Sequence, residues 1–456
     1  MDYVNHPAEV PLKGTIRIPG DKSISHRAVM IGSIAEGVTE IEHFASGADC
    51  GHTADGMRAL GVEIAEVEGK LSVHGRGLRG LKAASKPLDA GNAGTMMRLL
   101  SGILAGQDFE STIGGDAYLN RRPMKRIMEP LRLMGAEVSG VEDEYPPLRI
   151  RGGNLRPISY RMPVASAQVK SCVLFAGLYA DGQTTVIEQA PSRDHTERML
   201  RAFGATLEQQ RVRTLVVGED EEAEVARRLR RLEGAPETTE IVVGVMGGPR
   251  LEGQRVVVPG DISAAAFFLV AGTMVPDSEI HIEGVGLNPT RRGILDVLRR
   301  MGAKIEVEQK GESGGEPFGD LMVRSAELGR IRIGGALIPG LIDEIPILAV
   351  AATQVPGEVV IRDAGELRKK ETDRIKAVVS NLRRMGAKVG EMPDGMVIEG
   401  GRPLKGARVD SFGDHRIAMA FAVAGLVAEG ETTITGAEWA DVSFPGFYQV
   451  LEALKS

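Results

Sequence analysis

One pattern of apolar and polar positions recurs along the chain. Five segments predict amphipathic helices that stop at a glycine and lead into a strand. They are MRALGVEI at 57, LRLMGAEV at 131, LRAFGATL at 200, LRRMGAKI at 298 and LRRMGAKV at 382, with glycines at Gly61, Gly135, Gly204, Gly302 and Gly386. The carboxyl-terminal YQVLEALKS fits a sixth helix of this kind. We call these six the outer helices.

A second series of segments, in phase with the first, is apolar nearly all round and predicts buried helices. Five of these inner helices are expected to start at Lys22, Thr95, Ala167, Ser263 and Ile345, and the sixth is DHRIAMAFAVAGLVAEG. The distance from each start to the glycine of the next outer helix is nearly constant. Each unit therefore contains a buried helix, a strand, a loop, an amphipathic helix and a second strand.

Six such units fit two architectures. A solenoid of α/β repeats would stack each unit on its neighbours only. Units of this size can instead bury their inner helices in groups of three, which gives two domains, and we favour this α/β arrangement. The chain of 456 residues is also too long for one ordinary core.

The motif Pro-Gly-Asp-x-Ser occurs twice, at 19–23 and 259–263, and opens the first and fourth units. We interpret the two copies as the crossings between the domains. One domain would then comprise 1–20 plus 258–456 and the other 21–257. Two short crossings form a hinge, which allows closure over a ligand.

Composition excludes several classes of protein. The net charge of −7 argues against nucleic acid as a partner. No apolar run is long enough to span a membrane and no signal peptide is evident, so a cytoplasmic location is expected. Cys50 and Cys172 have no metal-type spacing and are predicted to be buried small hydrophobic residues. The basic run at 226–234 beside the acidic run at 218–224 predicts a solvated helix with balancing charges.

Polar side chains gather where the inner helices begin, and helix amino termini attract anions. These residues are Lys22, Ser23, Arg27, Gly94, Thr95, Arg98, Ser166, Gln168, Lys170, Asp343, Glu344, Asp414, His415 and Arg416. Three further stretches are rich in charge and contain Arg122, Arg193, Asp194, Lys369, Lys370, Glu371 and Arg374. Taken singly, those stretches also fit solvated loops or an ordinary helix pair such as Glu371 with Arg374.

Together these residues predict a cationic site for one or two small, highly anionic substrates. Two acids, Asp343 and Glu371, would serve proton transfer in such a site. The chain has no phosphate-binding loop of the Gly-x-x-x-x-Gly-Lys-Ser/Thr type, no Gly-x-Ser-x-Gly elbow and no metal-ligand spacing. The sequence thus argues against nucleotide hydrolysis and against serine-hydrolase chemistry.

In these residues the chain resembles the 5-enolpyruvylshikimate-3-phosphate synthases. The resemblance covers essentially the full length and rests on an ordered set of stretches: PGDKSISHRA, GNAGT, RRPM, SAQ, SRDHTE, IDEIP, KETDR, DHRIAM and SFP. It implies the α/β two-domain enolpyruvyl transferase fold, an inside-out α/β barrel with three repeated units in each domain. Its active site lies in the interdomain cleft.

The resemblance also implies the reaction. Phosphoenolpyruvate and shikimate 3-phosphate would bind between the domains, with no metal and no organic cofactor. The 5-hydroxyl attacks the central carbon of the enol while the methylene is protonated, and the tetrahedral intermediate then loses phosphate and a proton. The inhibitor glyphosate is an expected ligand. A monomer with no nucleic-acid or membrane partner is expected.

Residue roles carry over position by position. The implied shikimate 3-phosphate contacts are Lys22, Ser23, Arg27, Ser166, Ala167, Gln168, Arg193, Asp343 and Lys370. The implied phosphoenolpyruvate contacts are Lys22, Gly94, Arg122, Gln168, Arg374 and Arg416. Asp343 is expected to take the hydroxyl proton and Glu371 to protonate the methylene, with Lys22 as the third catalytic group.

Three positions bear on the subgroup. Val442 stands before SFP where many relatives have a Lys, and Arg193 stands where many have a Tyr. Both features, with SAQVK and SRDHTE, fit the second, glyphosate-tolerant type of subgroup. That subgroup often has Ala in place of Gly94, so the retained glycine predicts sensitivity or only partial tolerance to glyphosate.

Two alternatives stay open at this point. A UDP-N-acetylglucosamine enolpyruvyl transferase shares the fold, but usually carries a Cys on the loop that here reads GGDAYLNRRPMKR, and an Asn where this chain has Ser23. A non-catalytic anion-binding relative would have no reason to keep Lys22, Asp343 and Glu371 together.

Overall fold

The computed structural model describes residues 1–215 and 237–455. The helix predicted for the charged runs at 218–234 lies outside the described residues. Within the described parts the first five units repeat the predicted order of inner helix, strand, outer helix and strand, and each then adds a further strand that the sequence pattern did not predict.

The six inner helices are buried along nearly their whole length. They are Lys22–Ile34, Gly94–Ala105, Ala167–Gly177, Ile262–Met274, Ile345–Thr353 and His415–Gly425. The predicted starts are therefore right to within one residue. Four of them are capped by a side chain that accepts a hydrogen bond from the first turn, namely Asp21, Ser166, Asp261 and Asp414. None of the described helices is long and apolar enough to cross a lipid bilayer.

The outer helices bury one face only. They are Ala48–Ala59, Lys125–Leu133, His195–Ala202, Gly293–Arg300, Arg374–Arg384 and Phe447–Ala453. The glycines that follow the first five have φ angles between +79° and +104°. Side chains with a Cβ rarely adopt that region, so glycine is required where each helix turns into the next strand.

In the described parts of the chain five four-stranded sheets share one order, in which a parallel edge strand pairs with the first strand of the unit, which pairs antiparallel with the third, and the third pairs antiparallel with the second. The sheet of the first unit comprises Arg255–Val257, Val38–Glu42, Lys70–His74 and Glu63–Val67, and that of the second comprises Leu88–Asp89, Glu110–Gly114, Tyr145–Arg151 and Glu137–Val141. The sheet of the third unit comprises Ser159–Arg161, Gln183–Glu188, Glu237–Met246 and Leu207–Leu215. The sheet of the fourth unit comprises Lys13–Arg17, Glu279–Gly286, Glu316–Arg324 and Lys304–Ser313, and that of the fifth comprises Arg332–Ile333, Gly357–Ile361, Gly395–Gly400 and Lys388–Met392. The sixth unit has Arg408–Asp410, Thr432–Thr435 and Asp2–Asn5, with Leu404–Lys405 beside Ala428–Glu429.

Some strands pair far from their place in the chain. Lys13–Arg17 joins the sheet of the fourth unit, with Ile16 opposite Ile282. Asp2–Asn5 pairs with the last strand. Arg255–Val257, which follows the third unit, completes the sheet of the first. The amino-terminal residues are therefore built into the second half of the fold.

Buried side chains form two separate clusters. The first core comprises residues between 24 and 258, and the second comprises residues at 12–18 and between 262 and 454. In the second core the inner helix Ile262–Met274 packs on both Ile345–Thr353 and His415–Gly425, which also pack on each other. The helices thus close into a group of three, and the solenoid alternative is wrong. Cys50 and Cys172 are fully buried, as predicted, and they form no disulfide.

The two Pro-Gly-Asp-x-Ser copies lie side by side where the chain passes between the cores. Gly20 and Gly260 form an antiparallel bridge. The amide of Asp21 donates to the carbonyl of Pro259 at 2.7 Å, and the amide of Asp261 donates to that of Pro19 at 2.9 Å. The repetition in sequence therefore corresponds to two strands of backbone that bond to each other.

Candidate active site

A cavity of about 400 Å³ lies where inner helices of both cores begin. Fourteen of the predicted site residues line it: Lys22, Ser23, Arg27, Thr95, Ser166, Ala167, Gln168, Arg193, Asp343, Lys370, Glu371, Arg374, His415 and Arg416. Gly94 and Arg122 do not line it, and neither does Val442. The sequence pattern thus brings residues from five units to one place.

Lys22 is the first residue of its inner helix, directly after the capping Asp21. Its Nζ donates to Oδ2 of Asp49 at 3.0 Å. Burial by itself lowers the pKa of Lys22, but the carboxylates of Asp49 and Glu371 outweigh burial and raise that pKa. The ammonium group is therefore held charged at the cavity wall.

Arg27 lies one turn further along the same helix and is buried. Its three guanidinium nitrogens donate to Oγ1 of Thr196 at 2.7 Å, to the carbonyl of Ser23 at 2.8 Å and to Oγ of Ser171 at 2.8 Å. Because burial dominates, the pKa of Arg27 falls to about 10. The group stays a cation and is fixed in position by neutral partners.

The second and third inner helices meet at Gln168. Its Oε1 accepts from Nη1 of Arg98 at 2.8 Å, and its Nε2 donates to Oγ1 of Thr95 at 3.1 Å. Arg122 lies behind this pair and donates to Oδ1 of Asn92 at 2.7 Å. The amide of Gln168 is thus oriented by two residues of the neighbouring unit.

Asp343 contacts residues from both parts of the cavity wall, one from the third unit and one from the fifth. Its Oδ2 accepts from Nη2 of Arg193 at 2.5 Å, and its Oδ1 lies 3.1 Å from Nη1 of Arg374. Burial alone would raise the pKa of Asp343, but surrounding cations hold that pKa well below its usual value. In decreasing order of effect those cations are Lys370, Arg416, Arg193 and Arg374.

Arg374 binds three carboxylates and is almost completely buried. Its Nε donates to Asp414 at 2.7 Å and its Nη2 donates to Oε2 of Glu371 at 2.6 Å, while Nη1 faces Asp343. The pair of Glu371 and Arg374 is therefore part of the site and not a solvated helix pair. Burial raises the pKa of Glu371, yet Arg374 and the neighbouring charges outweigh it and keep that pKa well below its usual value.

The last inner helix begins with His415 and Arg416, which are both buried. Nη1 of Arg416 donates to the carbonyl of Asp343 at 3.3 Å. Burial lowers the pKa of His415 to about 4, so the imidazole is neutral. This helix therefore adds one fixed positive charge beside Asp343.

Sequence reasoning missed some residues of this site. Asp49 holds Lys22 from an outer helix, and Arg291 lines the cavity from a loop, but neither position carries a local motif. Asp414 and Arg98 stood among the polar helix starts without an assigned role. Their partners lie in distant units, so no spacing along the chain reveals the contacts.

Positive charge dominates the wall of the cavity. Eight Lys and Arg side chains line it against five carboxylates, which favours anionic ligands. Several inner helices also begin there and add the positive ends of their dipoles. The arrangement can bind phosphate and carboxylate groups around two ionised acids. In the parts of the chain that the structure describes, no cluster of three His, Cys, Asp or Glu side chains suits a metal ion.

Comparisons with known proteins agree with this geometry. The family model described as EPSP synthase (3-phosphoshikimate 1-carboxyvinyltransferase) matches residues 7–229 and 224–451. Two similar relatives bear the name 3-phosphoshikimate 1-carboxyvinyltransferase. That of Desulforamulus reducens is 50% identical over 454 residues, covering 99% of each chain, and that of Salinibacter ruber is 52% identical over 448 residues, covering 96% of each.

The fold has a solved counterpart. The structure of EPSP synthase from Acinetobacter baumannii is 41% identical, with a TM-score of 0.85 over 99% of this chain and 98% of that chain. The α/β enolpyruvyl transferase fold implied by the sequence resemblance is therefore confirmed. By sequence and by structure, the chain belongs to the EPSP synthase (3-phosphoshikimate 1-carboxyvinyltransferase) family.

Proposed function

We propose that this chain transfers the enolpyruvyl group of phosphoenolpyruvate to the 5-hydroxyl of shikimate 3-phosphate, releasing phosphate. Family membership supports the reaction. One observation assigns the reaction to this site: Asp343 and Glu371 are both ionised and lie among cations from both cores in one cavity. Two anionic substrates need such charges for binding, and the reaction needs groups that move protons.

Shikimate 3-phosphate would lie along the starts of the first and third inner helices. The residues that line the cavity there are Lys22, Ser23, Arg27, Ser166, Ala167, Gln168 and Arg193, with Asp343 and Lys370 opposite. A phosphate at helix amino termini gains both N–H donors and the helix dipole. Arg27 donates to the protein from each nitrogen, so we propose that it acts mainly as a fixed charge.

Phosphoenolpyruvate would lie nearer the fifth and sixth units, against Lys22, Gln168, Arg374 and Arg416, with Gly94 and Arg122 behind them. Arg122 does not line the cavity, but its charge reaches Glu371 and contributes to the lowered pKa of that acid. Gly94 has no side chain, which leaves room beside the guanidinium groups of Arg98 and Arg122.

Asp343 would accept the proton of the attacking hydroxyl. Glu371 is ionised before the substrates bind, so it would first take up a proton from water as they bind. The oxygen of the substrate then bonds to the central carbon of phosphoenolpyruvate, and the methylene carbon takes that proton from Glu371. A carboxylate whose pKa is so low is a weak base. The phosphate and carboxylate groups of the substrates would pair with the cations around Asp343 and Glu371 and weaken the effect of those cations on the two acids. Both pKa values then rise, which makes proton transfer feasible.

The second step reverses the proton movements. The tetrahedral intermediate expels phosphate as the carbon–oxygen bond to it breaks. The methyl carbon returns its proton to Glu371, which forms the enol ether. Holding both substrates between two cores supplies much of the rate, because ordered reactants avoid ~7–11 kcal/mol of barrier.

We also propose that the two cores mark domains of 1–20 plus 258–456 and 21–257, with the paired Pro-Gly-Asp segments as the hinge. The clusters separate between Val258 and Ile262, which supports a boundary close to the proposed one, although Val258 itself packs in the first core. A single chain supplies every group named in the site, which supports action as a monomer. A cytoplasmic location and binding of glyphosate at this site are further parts of the proposal.

The direct test is to incubate the protein with phosphoenolpyruvate and shikimate 3-phosphate, and to follow phosphate release together with the mass of the product. We expect one phosphate for each enolpyruvyl adduct formed. Turnover with UDP-N-acetylglucosamine in place of shikimate 3-phosphate, and none with the latter, would show that the substrate assignment is wrong. Tight binding of both anions without turnover would indicate the non-catalytic relative.

A further inference from the structure

Arg291 is a buried cation to which the proposed reaction gives no role. Its guanidinium lies between the two chain crossings, with Nη1 3.4 Å from Oδ2 of Asp21 and Nη2 3.1 Å from Oδ1 of Asp261. Nη2 also donates to Oγ of Ser263 at 2.8 Å. The side chain is about 3% exposed, so these contacts are shielded from water.

Both aspartates begin an inner helix. Oδ1 of Asp21 accepts from the amide of Ile24 at 3.0 Å, and Oδ1 of Asp261 accepts from the amide of Ser263 at 2.9 Å. The first helix belongs to the first core and carries Lys22 at its start. The other belongs to the second core. One guanidinium therefore touches the first turn of a helix in each half of the molecule.

A short chain of contacts runs from Arg291 to Asp343. Ser263, which accepts from Arg291, donates through its hydroxyl to Oε1 of the buried Glu344. Glu344 follows Asp343 directly in the sequence. The position of Asp343 is thus tied to the same crossing that sets the start of the Lys22 helix.

The loop that carries Arg291 is itself fixed across the two halves. Nδ2 of Asn288 donates to Oδ1 of Asp194 at 2.8 Å and to Oε2 of Glu316 at 2.9 Å. Oγ1 of Thr290 accepts from the amide of Asp194 at 3.3 Å. Asp194 adjoins Arg193, whose guanidinium contacts Asp343.

We propose that Arg291 is a positioning residue that holds the two crossings in one arrangement and thereby sets the spacing between Lys22, on one core, and Asp343, on the other. The proposal rests on the function proposed above for that pair. Arg291 touches no reacting atom in it. Its effect is to keep the substrate-binding arrangement populated before the substrates arrive.

The fork of the guanidinium is needed for this role. Without a cation, the buried carboxylate of Asp21 and the partly buried carboxylate of Asp261 repel each other, which favours separation of the crossings. A lysine keeps the charge but presents one nitrogen, which cannot bridge both acids and Ser263 with the same geometry.

The kinetic test compares the full-length protein with Arg291→Gln, Arg291→Lys and a neighbouring control, Arg292→Gln, whose side chain is exposed. When the competent arrangement is less populated, apparent affinity falls by that fraction. We expect Arg291→Gln to raise KM for both substrates about tenfold with kcat changed less than about threefold, Arg291→Lys to lie between, and Arg292→Gln to match the parent.

A merely structural role would instead reduce the amount of active enzyme, which lowers kcat and leaves KM unchanged. Unchanged KM values in Arg291→Gln would overturn the proposal. Should that variant not fold, the double variant Asp261→Asn/Arg291→Gln removes one buried charge while Asn keeps the helix cap. We expect it to raise KM above that of the parent, because the bridge between the crossings is still missing although the repulsion is relieved.

A second measurement does not depend on turnover. Small-angle X-ray scattering without substrates should give a larger radius of gyration for Arg291→Gln than for the parent and for Arg292→Gln. Equal radii together with equal KM values would refute the role of Arg291. If the parent itself has no turnover, the proposed function is wrong. Equal radii of gyration for the parent and Arg291→Gln would then be enough to show that Arg291 does not hold the two crossings together.

Discussion

At the scale of single residues, Gly94 decides how much space remains beside the guanidinium groups. A Cβ there would lie 3.0 Å from Nη1 of Arg98 and 3.4 Å from Nη1 of Arg122, both at the ends of flexible side chains. We expect Gly94→Ala to fold and to raise the inhibition constant of glyphosate by about tenfold or more, since one methyl group in a tight pocket discriminates to that extent.

The matched control is Gly51→Ala, because an added Cβ there meets no atom within 4 Å. Its inhibition constant should equal that of the parent. The measurement is glyphosate inhibition against varied phosphoenolpyruvate. Equal constants for the parent and Gly94→Ala would refute the steric argument.

The role of Asp343 is also tested at the residue scale. Asp343→Ala removes the acid and with it the carboxylate that pairs with Arg193 and Lys370, so anionic substrates should bind at least as well as before. Loss of a general base costs about 10²–10⁴ in rate. We expect kcat to fall by that range without a rise in KM, while Asp108→Ala, an exposed change, should behave as the parent. A near-normal kcat would remove Asp343 from the mechanism.

His26 offers a prediction about acid stability. It is fully buried, its Nδ1 lies 2.6 Å from Oγ1 of Thr53, and burial lowers its pKa to about 3. Between pH 6 and pH 4 the unfolded chain protonates this histidine and the folded chain does not, so stability falls as pH falls. The loss from this one group is about 1.4 kcal/mol per pH unit.

His26→Gln should therefore lose less stability on acidification than the parent, although it is less stable at neutral pH. Urea unfolding at pH 7, 6, 5 and 4 measures the difference. Parallel curves for the two proteins would show that His26 is protonated in the folded state.

At the scale of elements, a buried ion triad connects the third unit. Nζ of Lys170, on the inner helix, lies 2.7 Å from Glu188 at the end of a strand and 2.7 Å from Glu197 on the outer helix. It also donates to the carbonyl of Ser192, next to Arg193. These contacts hold the loop that presents Arg193 to the cavity.

Lys170→Met should destabilise the protein by about 3–5 kcal/mol, because it leaves two buried carboxylates without a cation. The control is Lys388→Met, which breaks an exposed pair with Glu399 and should cost under about 1 kcal/mol. Denaturant unfolding of both variants gives the comparison. Similar losses of stability in the two variants would mean that other groups or water compensate the carboxylates of Glu188 and Glu197 when Lys170 is absent.

The elements themselves were predictable where the signal is local. Apolar periodicity and stop glycines give the inner and outer helices, because burial of a face leaves its mark on the residues of that face. The strands Lys13–Arg17 and Arg255–Val257 pair with partners more than two hundred residues away. Their placement depends on how the units close, which no local pattern records.

The same distinction applies to the site. Helix starts such as Lys22 and Ser166 stand out, since polar residues on an otherwise apolar helix need a reason. Asp49 and Arg291 act through contacts with residues of other elements, and their own surroundings in sequence are ordinary. Prediction from sequence therefore found the polar residues that begin the inner helices, and it missed Asp49 and Arg291, whose contacts lie in other elements.

At the scale of the whole molecule, the proposed division into a continuous and a discontinuous domain has a consequence that can be measured. Every residue of the first core lies between 24 and 258, and the strand Arg255–Val257 completes a sheet within it. The contacts that it makes with the second core through Asp194, His195 and Arg291 are polar. Water can replace polar contacts far better than apolar ones.

A fragment of residues 21–258 should therefore fold on its own, with a single cooperative urea transition, and should have no turnover because Asp343 and Glu371 are absent. The shorter fragment 21–250 lacks Leu251, Val256 and Val258, which are buried in this core. It should unfold at lower urea concentration, since each lost side chain removes about 1.5–3 kcal/mol of burial. Two fragments with the same midpoint would place the boundary before Leu251, and an unfolded 21–258 would show that the two cores depend on each other.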